Sequence, residues 1–107
     1  MIDDLLSLTI NIASDNDITK LLIQLMLSIV EETNDKDISF PDTILELLID
    51  LLGEDIVNKL KPKIIINKDL IMNVISENNW INDEEEAYNF VLEHLKLLKN
   101  IDLSKNS

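Results

Sequence analysis

The sequence predicts an all-α protein, a compact bundle of five or six short helices. Of the 107 residues, 46% are apolar, so the chain can build a core. Its apolar residues recur three and four positions apart, which is the spacing of one helix face. One glycine and two prolines are too few for the many turns of a sandwich or barrel of short strands. We expect a single helical domain over residues 1–99 and a flexible tail over 100–107.

Two helices are predicted on either side of a first polar turn. In residues 2–13 one stripe carries apolar side chains, and Leu8 and Ile10 fall outside it. Asp17 is a suitable N-cap for a second helix, which we expect to end near Glu32. This helix is apolar over most of its circumference, which is typical of the centre of a domain or of an interface between copies. The expected stripe of the first helix consists of Ile2, Leu5, Leu6, Thr9, Ile12 and Ala13.

Two further helices are predicted around the single glycine. Pro41 suits the first turn of a helix over about 41–52, and Gly53 is expected to end it in a left-handed C-cap. A short helix then runs from Glu54 until Pro62 stops it. The third helix should point Ile44, Leu45, Leu47, Leu48, Leu51 and Leu52 inward and Asp42, Glu46 and Asp50 outward. The inward residues of the fourth helix should be Ile56, Val57 and Leu60.

The last third of the chain is predicted to hold two more helices. Residues 64–66 are three isoleucines, which fit either an extended segment laid across the bundle or a short strand that pairs with a partner. Asn67 can cap a fifth helix. Asn82 and Glu85 have the spacing of a capping box for a last helix over about 83–99. The inward residues should be Leu70, Ile71, Val74 and Ile75, and then Ala87, Phe90 or Val91, His94 or Leu95, and Leu98.

Charge is the main functional signal in the composition. The chain has 21 acidic residues, nine lysines and no arginine, a net charge of −12. Because a phosphate backbone binds clustered positive charge, we expect no direct nucleic-acid binding. Residues 31–55 hold nine of the acids and one lysine, and this region either keeps the protein soluble or steers it towards a basic surface. Its acids are Glu31, Glu32, Asp35, Asp37, Asp42, Glu46, Asp50, Glu54 and Asp55.

The sequence contains few of the residues that usually carry out catalysis or bind metal ions. Cysteine is absent and His94 is the one histidine, so thiolate sites and paired-histidine sites are excluded. The loop from Asp35 to Glu46 places oxygen ligands as a calcium loop does, but Phe40 stands where the sharp turn needs a glycine, and Pro41 follows it. We therefore predict no enzymatic activity, no cofactor and no metal, and we expect His94 to be structural or exposed.

A non-enzymatic binding role is the function that these features favour. We expect an acidic helical module of the inhibitor or immunity type that blocks a larger protein. One way to do so is to cover a basic nucleic-acid-binding surface by mimicking the nucleic acid. The alternative is a homo-oligomeric structural or adaptor protein, for example a homodimer, that uses the apolar surface of the second helix. Trp80 is expected to pack in the core or to act as an exposed binding anchor.

The sequence also predicts the compartment. Its first four residues are acidic on balance, whereas a secretory signal begins with basic residues. The longest apolar stretch, Ile18–Val30, is interrupted by polar residues and is too short to span a bilayer. We therefore expect a cytoplasmic protein without membrane contact. Abundant isoleucine, asparagine and lysine without arginine indicate an AT-rich genome, which is typical of many bacteria and phages.

Overall fold

The computed structural model describes residues 2–33 and 41–100, with side chains for 5–32 and 44–100, and these residues form an all-α bundle. The predicted fold class is confirmed, and no strand forms in the described residues. Residues 101–107 of the expected tail lie outside them. The elements are α1 (Ile2–Ile12), α2 (Asp15–Thr33), α3 (Pro41–Leu52), α4 (Glu54–Leu60), a 3-10 turn (Lys61–Lys63), α5 (Lys68–Ser76) and α6 (Glu84–Asn100).

Helix α2 lies at the centre of the bundle, as its apolar circumference predicts. It packs against α5, α6 and the 3-10 turn, and the side chains of Ile23 and Met26 have no exposed surface. Its polar residues Lys20 and Ser28 lie on the exposed side, where Leu21 is the apolar exception. Every helix contributes at least one buried apolar side chain to the same core. The core is therefore continuous around α2.

Residues 64–66 form part of an extended connection that Thr19 holds against the bundle. Thr19 is fully buried in α2. Its hydroxyl donates to the carbonyl oxygen of Lys63 (3.2 Å) and accepts the backbone N–H of Ile65 (3.0 Å). The structure shows the first of the two alternatives that the sequence leaves open, an extended segment laid across the bundle, and no strand forms there within the chain. The bonds give these part-buried backbone groups a partner.

Two lysine side chains tie the same connection to other parts of the bundle. The ammonium of Lys63 donates to the carbonyl oxygen of Ala13 (2.9 Å) and lies 3.6 Å from the carboxylate of Asp15. The ammonium of Lys99 in α6 donates to the carbonyl oxygen of Ile64. These lysines therefore stabilise the fold, and one of them pairs with an acid of the same chain.

Helices α2 and α6 begin at caps other than those predicted. The hydroxyl of Ser14 accepts the backbone N–H of Asp17 (3.1 Å), so Ser14 caps α2 and the helix starts earlier than expected. At α6, Oδ1 of Asp83 accepts the backbone N–H of Glu86 (3.0 Å), so the cap is Asp83 and not Asn82. Serine, aspartate and asparagine have similar capping preferences, so the sequence alone does not decide between candidates this close together.

The helix boundaries at Gly53 and Asn67 agree with the prediction, with one correction. Gly53 ends α3 with a φ of 85°, in a region that favours glycine. Its ψ of 154° is extended, so the residue does not adopt the predicted left-handed C-cap conformation. Asn67 caps α5, because its Oδ1 accepts the backbone N–H of Leu70 at 3.1 Å.

The predicted inward stripe of α1 is wrong. Ile10, which the pattern places outside the stripe, is buried, whereas Leu5 and Ile12 are 65% and 77% exposed. The helix is apolar on two sides, and it packs mainly against α4, which covers only one of them. Of the remaining stripe residues, Leu6 and Thr9 are exposed, Ala13 is partly buried, and the side chain of Ile2 lies outside the described part.

Helix α3 exposes two leucines that the sequence predicts to be inward. Leu47 and Leu51 are exposed, whereas Ile44 and Leu48 are buried as predicted. Ile49, which the pattern does not assign, packs partly buried against the core. Helices α4 and α6 cover one side of α3, and its apolar residues extend beyond that side. Leu45 and Leu52 are partly buried.

The predicted inward faces of α4, α5 and α6 are confirmed. The three residues expected in α4 are buried, and in α5 Leu70 is partly buried beside a fully buried core. In α6 both members of each predicted pair are buried, and Ala87 is partly buried. The buried residues of these helices are Ile56, Val57, Leu60, Ile71, Val74, Ile75, Phe90, Val91, His94, Leu95 and Leu98.

Replacing Thr19 by valine tests the clamp on the extended connection. Thr19→Val keeps the shape of the side chain and leaves the Ile65 N–H and the Lys63 carbonyl without their partner. We expect the free energy of unfolding to fall by about 1–3 kcal/mol, the cost of an unsatisfied buried group. Urea denaturation followed by circular dichroism measures it. The control is Thr9→Val, whose exposed hydroxyl bonds only within α1, and an equal loss in both variants would contradict the clamp.

Candidate protein-binding surface

Six of the nine acidic residues of region 31–55 have described side chains, and all six are exposed. Asp35 and Asp37 lie outside the described residues, as does the first half of the calcium-like loop. For Asp42 only the backbone is described, in α3. The six exposed acids are Glu31, Glu32, Glu46, Asp50, Glu54 and Asp55.

Four of these carboxylates follow one another along α3 and the start of α4. Glu46 and Asp50 are one turn apart on the exposed side of α3. Glu54 and Asp55 occupy the first turn of α4, where the helix dipole favours negative charge. Within the described part of the chain, no lysine ammonium is within ion-pairing distance of any of the four, and the ion pair shown there joins Lys63 and Asp15. The group is therefore acidic without a neutralising cation among these residues.

Two exposed leucines share this side of α3 with the carboxylates. Leu47 lies three residues from Asp50 and four from Leu51, and Leu51 is 64% exposed. Protein interfaces commonly combine an apolar centre with a polar rim, and these residues supply both components. We call the set the α3–α4 surface, and it consists of Glu46, Leu47, Asp50, Leu51, Glu54 and Asp55.

Three of the exposed acids lie in the last turn of a helix, where the helix dipole makes a negative charge unfavourable. Asp50 lies in the last turn of α3, and Glu31 and Glu32 lie in the last turn of α2, where the helix dipole is negative. Neither of these turns contains a basic residue. Helix α6 shows the favourable order, with acids in its first turn and Lys99 in its last. The stability of α2 and α3 therefore does not explain these acids.

Trp80 lies half-buried in the connection between α5 and α6. Its ring packs against the core and part of its surface stays exposed, so the structure shows the core packing that the sequence gives as one alternative. The Nε1 atom of Trp80 is buried and lacks a hydrogen-bond partner among the described residues. Among the described residues, the ring is therefore held by packing and not by a hydrogen bond of the indole N–H.

The contacts of His94 are those of a core residue. Its Nδ1 lies 2.7 Å from the carbonyl oxygen of Phe90, so Nδ1–H donates and Nε2 is left as a buried atom without a partner in the described structure. The rings of Phe90 and His94 pack with their centroids 4.1 Å apart. In residues 5–32 and 44–100, no group of three or more histidine, aspartate or glutamate side chains is placed to hold a metal ion.

Comparisons with known proteins give no indication of the function of this chain. No family model, curated protein or solved structure matches the chain. Of the helices described above, none combines the length and the apolarity that crossing a bilayer requires.

Removing the charge of Asp50 tests whether this acid stabilises the fold. Asp50→Asn should raise the free energy of unfolding by about 0.3–1 kcal/mol, because it relieves the repulsion at the end of the α3 dipole. The matched control is Glu46→Gln in the middle of α3, which should change stability by less than about 0.5 kcal/mol. Urea denaturation measures both variants. A clear destabilisation by Asp50→Asn would show that the carboxylate has a structural role.

Proposed function

We propose that this protein is a non-enzymatic binding module whose α3–α4 surface docks on a basic surface of a larger protein and blocks it. The observation that carries the proposal is the exposed acid group without a neutralising cation among the described residues. Within it, Asp50 occupies a position that weakens its own helix. Residues that break a local rule of stability are expected mostly at functional sites. An inhibitor or immunity protein is the class that this mode of action fits.

The two components of the surface have different roles in the proposed complex. The carboxylates, together with the net charge of −12, attract a basic partner over a distance and increase the rate of encounter. Leu47 and Leu51 bury apolar area once the partner has docked, which slows dissociation. A nucleic-acid-binding protein is one suitable partner, since carboxylates in its basic groove would occupy the positions of phosphates. The protein has no cysteine and so folds without disulfides, as cytoplasmic proteins usually do. We therefore propose that it acts in the cytoplasm.

Reversing three charges on the α3–α4 surface should weaken this docking. With Glu46, Asp50 and Glu54 all changed to lysine, we expect the helical circular dichroism to be unchanged. The association rate constant should fall at least about tenfold at low salt, and this difference should shrink as salt rises. The partner is captured with the wild-type protein from the native host and identified, and surface plasmon resonance then measures the rates.

The matched control changes Asp69, Glu77 and Glu93 to lysine, which alters the net charge equally at exposed positions outside α3 and α4. This control should slow association much less than the α3–α4 variant. An equal effect of both triple variants would mean that net charge alone attracts the partner. An unchanged rate in the α3–α4 variant would contradict the proposed docking surface.

Self-association is the second candidate function, and the exposed side of α1 is the feature that favours it. Leu5, Leu8 and Ile12 are exposed and follow the three- and four-residue spacing of one helix face. The expected interface on α2 has less support, because the rest of the bundle covers most of its apolar residues and Leu21 alone stays largely exposed. The net charge of −12 opposes the approach of two copies.

The oligomeric state decides between the two candidates. We expect a monomer at micromolar concentration in physiological salt, because repulsion between the acidic copies outweighs the small apolar face of α1. Size-exclusion chromatography with light scattering measures the mass. A stable dimer that Leu8→Ser converts to a monomer would favour self-association instead.

A further inference from the structure

A small pocket lies beside Trp80, between the second half of α2 and the first half of α6. Its volume is about 160 Å³. The walls are mostly apolar and come from three parts of the chain, α2, the connection before α6, and α6 itself. The apolar wall residues are Leu27, Val30, Trp80, Ile81, Ala87 and Phe90.

The size of the pocket indicates what kind of group fits it. Pockets for cofactors and other small molecules usually measure about 300–1,000 Å³, well above this volume. A cavity of roughly 150 Å³ with apolar walls accommodates a group of the size of a benzene ring. The pocket therefore matches a single apolar side chain better than a cofactor. Apolar side chains that enter such pockets are frequent anchors of protein interfaces.

The rim of the pocket indicates the charge of the group beside that side chain. Asp83 and Glu86 line the opening, and both are exposed. Asp83 is held in place because its Oδ1 accepts the backbone N–H of Glu86. Among the described residues no lysine ammonium forms an ion pair with either carboxylate. A basic residue next to the entering side chain would therefore meet complementary charge.

We propose that this pocket takes one aliphatic or aromatic side chain of a partner protein, from a segment in which lysine or arginine flanks that side chain. A second copy of the chain suits the site less well, since it carries a net charge of −12. The site shares no residue with the α3–α4 surface, and its test is independent of that surface.

Nuclear magnetic resonance on the full ¹⁵N-labelled chain tests the proposal, with three capped peptides as probes. Trp80 is the single tryptophan, so its indole N–H gives one signal that reports on the pocket. The first peptide has a central leucine between pairs of lysines, the second replaces the leucine by serine, and the third replaces the lysines by glutamates. We expect saturable shifts of the Trp80 and Ala87 signals with the first peptide. Binding of the serine peptide should be at least about tenfold weaker, because it places no leucine in the pocket. Binding of the glutamate peptide should also be at least about tenfold weaker, because Asp83 and Glu86 repel its charges.

Substitutions in the pocket wall, with a control substitution outside the pocket, test where the peptide binds. Ala87→Leu and the more adaptable Ala87→Met place extra side-chain volume inside the pocket, and either should weaken binding of the first peptide at least about tenfold. Asn73→Leu adds a leucine on the exposed side of α5, outside the pocket, and should leave binding unchanged. Glu86→Gln should weaken binding about threefold and reduce its salt dependence.

Several results would overturn the proposal. Equal binding of the leucine and serine peptides would show that charge alone attracts the probe, and equal binding of the glutamate peptide would show that the basic flank has no role. Unchanged binding in the folded Ala87 variants would place the probe elsewhere. Shifts of the Trp80 signal that depend on protein concentration without any peptide would identify a second copy as the occupant.

Discussion

The buried hydroxyl of Thr19 is the constraint on which the arrangement of the bundle depends. It pairs two backbone groups of the extended connection and so joins the central helix α2 to the segment between α4 and α5. Lys63 and Lys99 then fix the same segment to the α1–α2 turn and to α6. With this connection in place, α5 and α6 close one side of α2, and α3 packs on α6 with part of its apolar surface exposed.

The spacing of apolar residues predicts where the helices of this chain lie. It predicts less well which side of α1 and of α3 is buried. The spacing of apolar residues identifies every helix, and it also identifies the inward residues of α4, α5 and α6. It fails in α1, where Ile10 is buried and Leu5 is exposed, and in α3, where Leu51 is exposed. Both helices are apolar over more of their circumference than their neighbours cover, and a pattern within one helix contains no information about those neighbours.

Some residues of the candidate sites could be predicted from the sequence and others could not. The exposure of the acids of region 31–55 could be predicted from the sequence, because nine carboxylates with one lysine among them are too many to be paired and buried. Each acid with a described side chain is exposed. The leucines of the α3–α4 surface could not be separated from core leucines, although α3 has more apolar residues than one face can bury. The Trp80 pocket could not be predicted, because residues far apart in sequence, such as Leu27 and Ala87, meet only after folding.

In the proposed complex, the α3–α4 surface makes the contact with the partner, and the acidity of the whole protein does not suffice for it. Hydrogen–deuterium exchange of the wild-type protein, free and bound to the captured partner, locates that contact directly. We expect slower exchange on binding for the amides of α3 and of the first turn of α4. Slower exchange confined to other helices, with α3 and α4 unchanged, would contradict it.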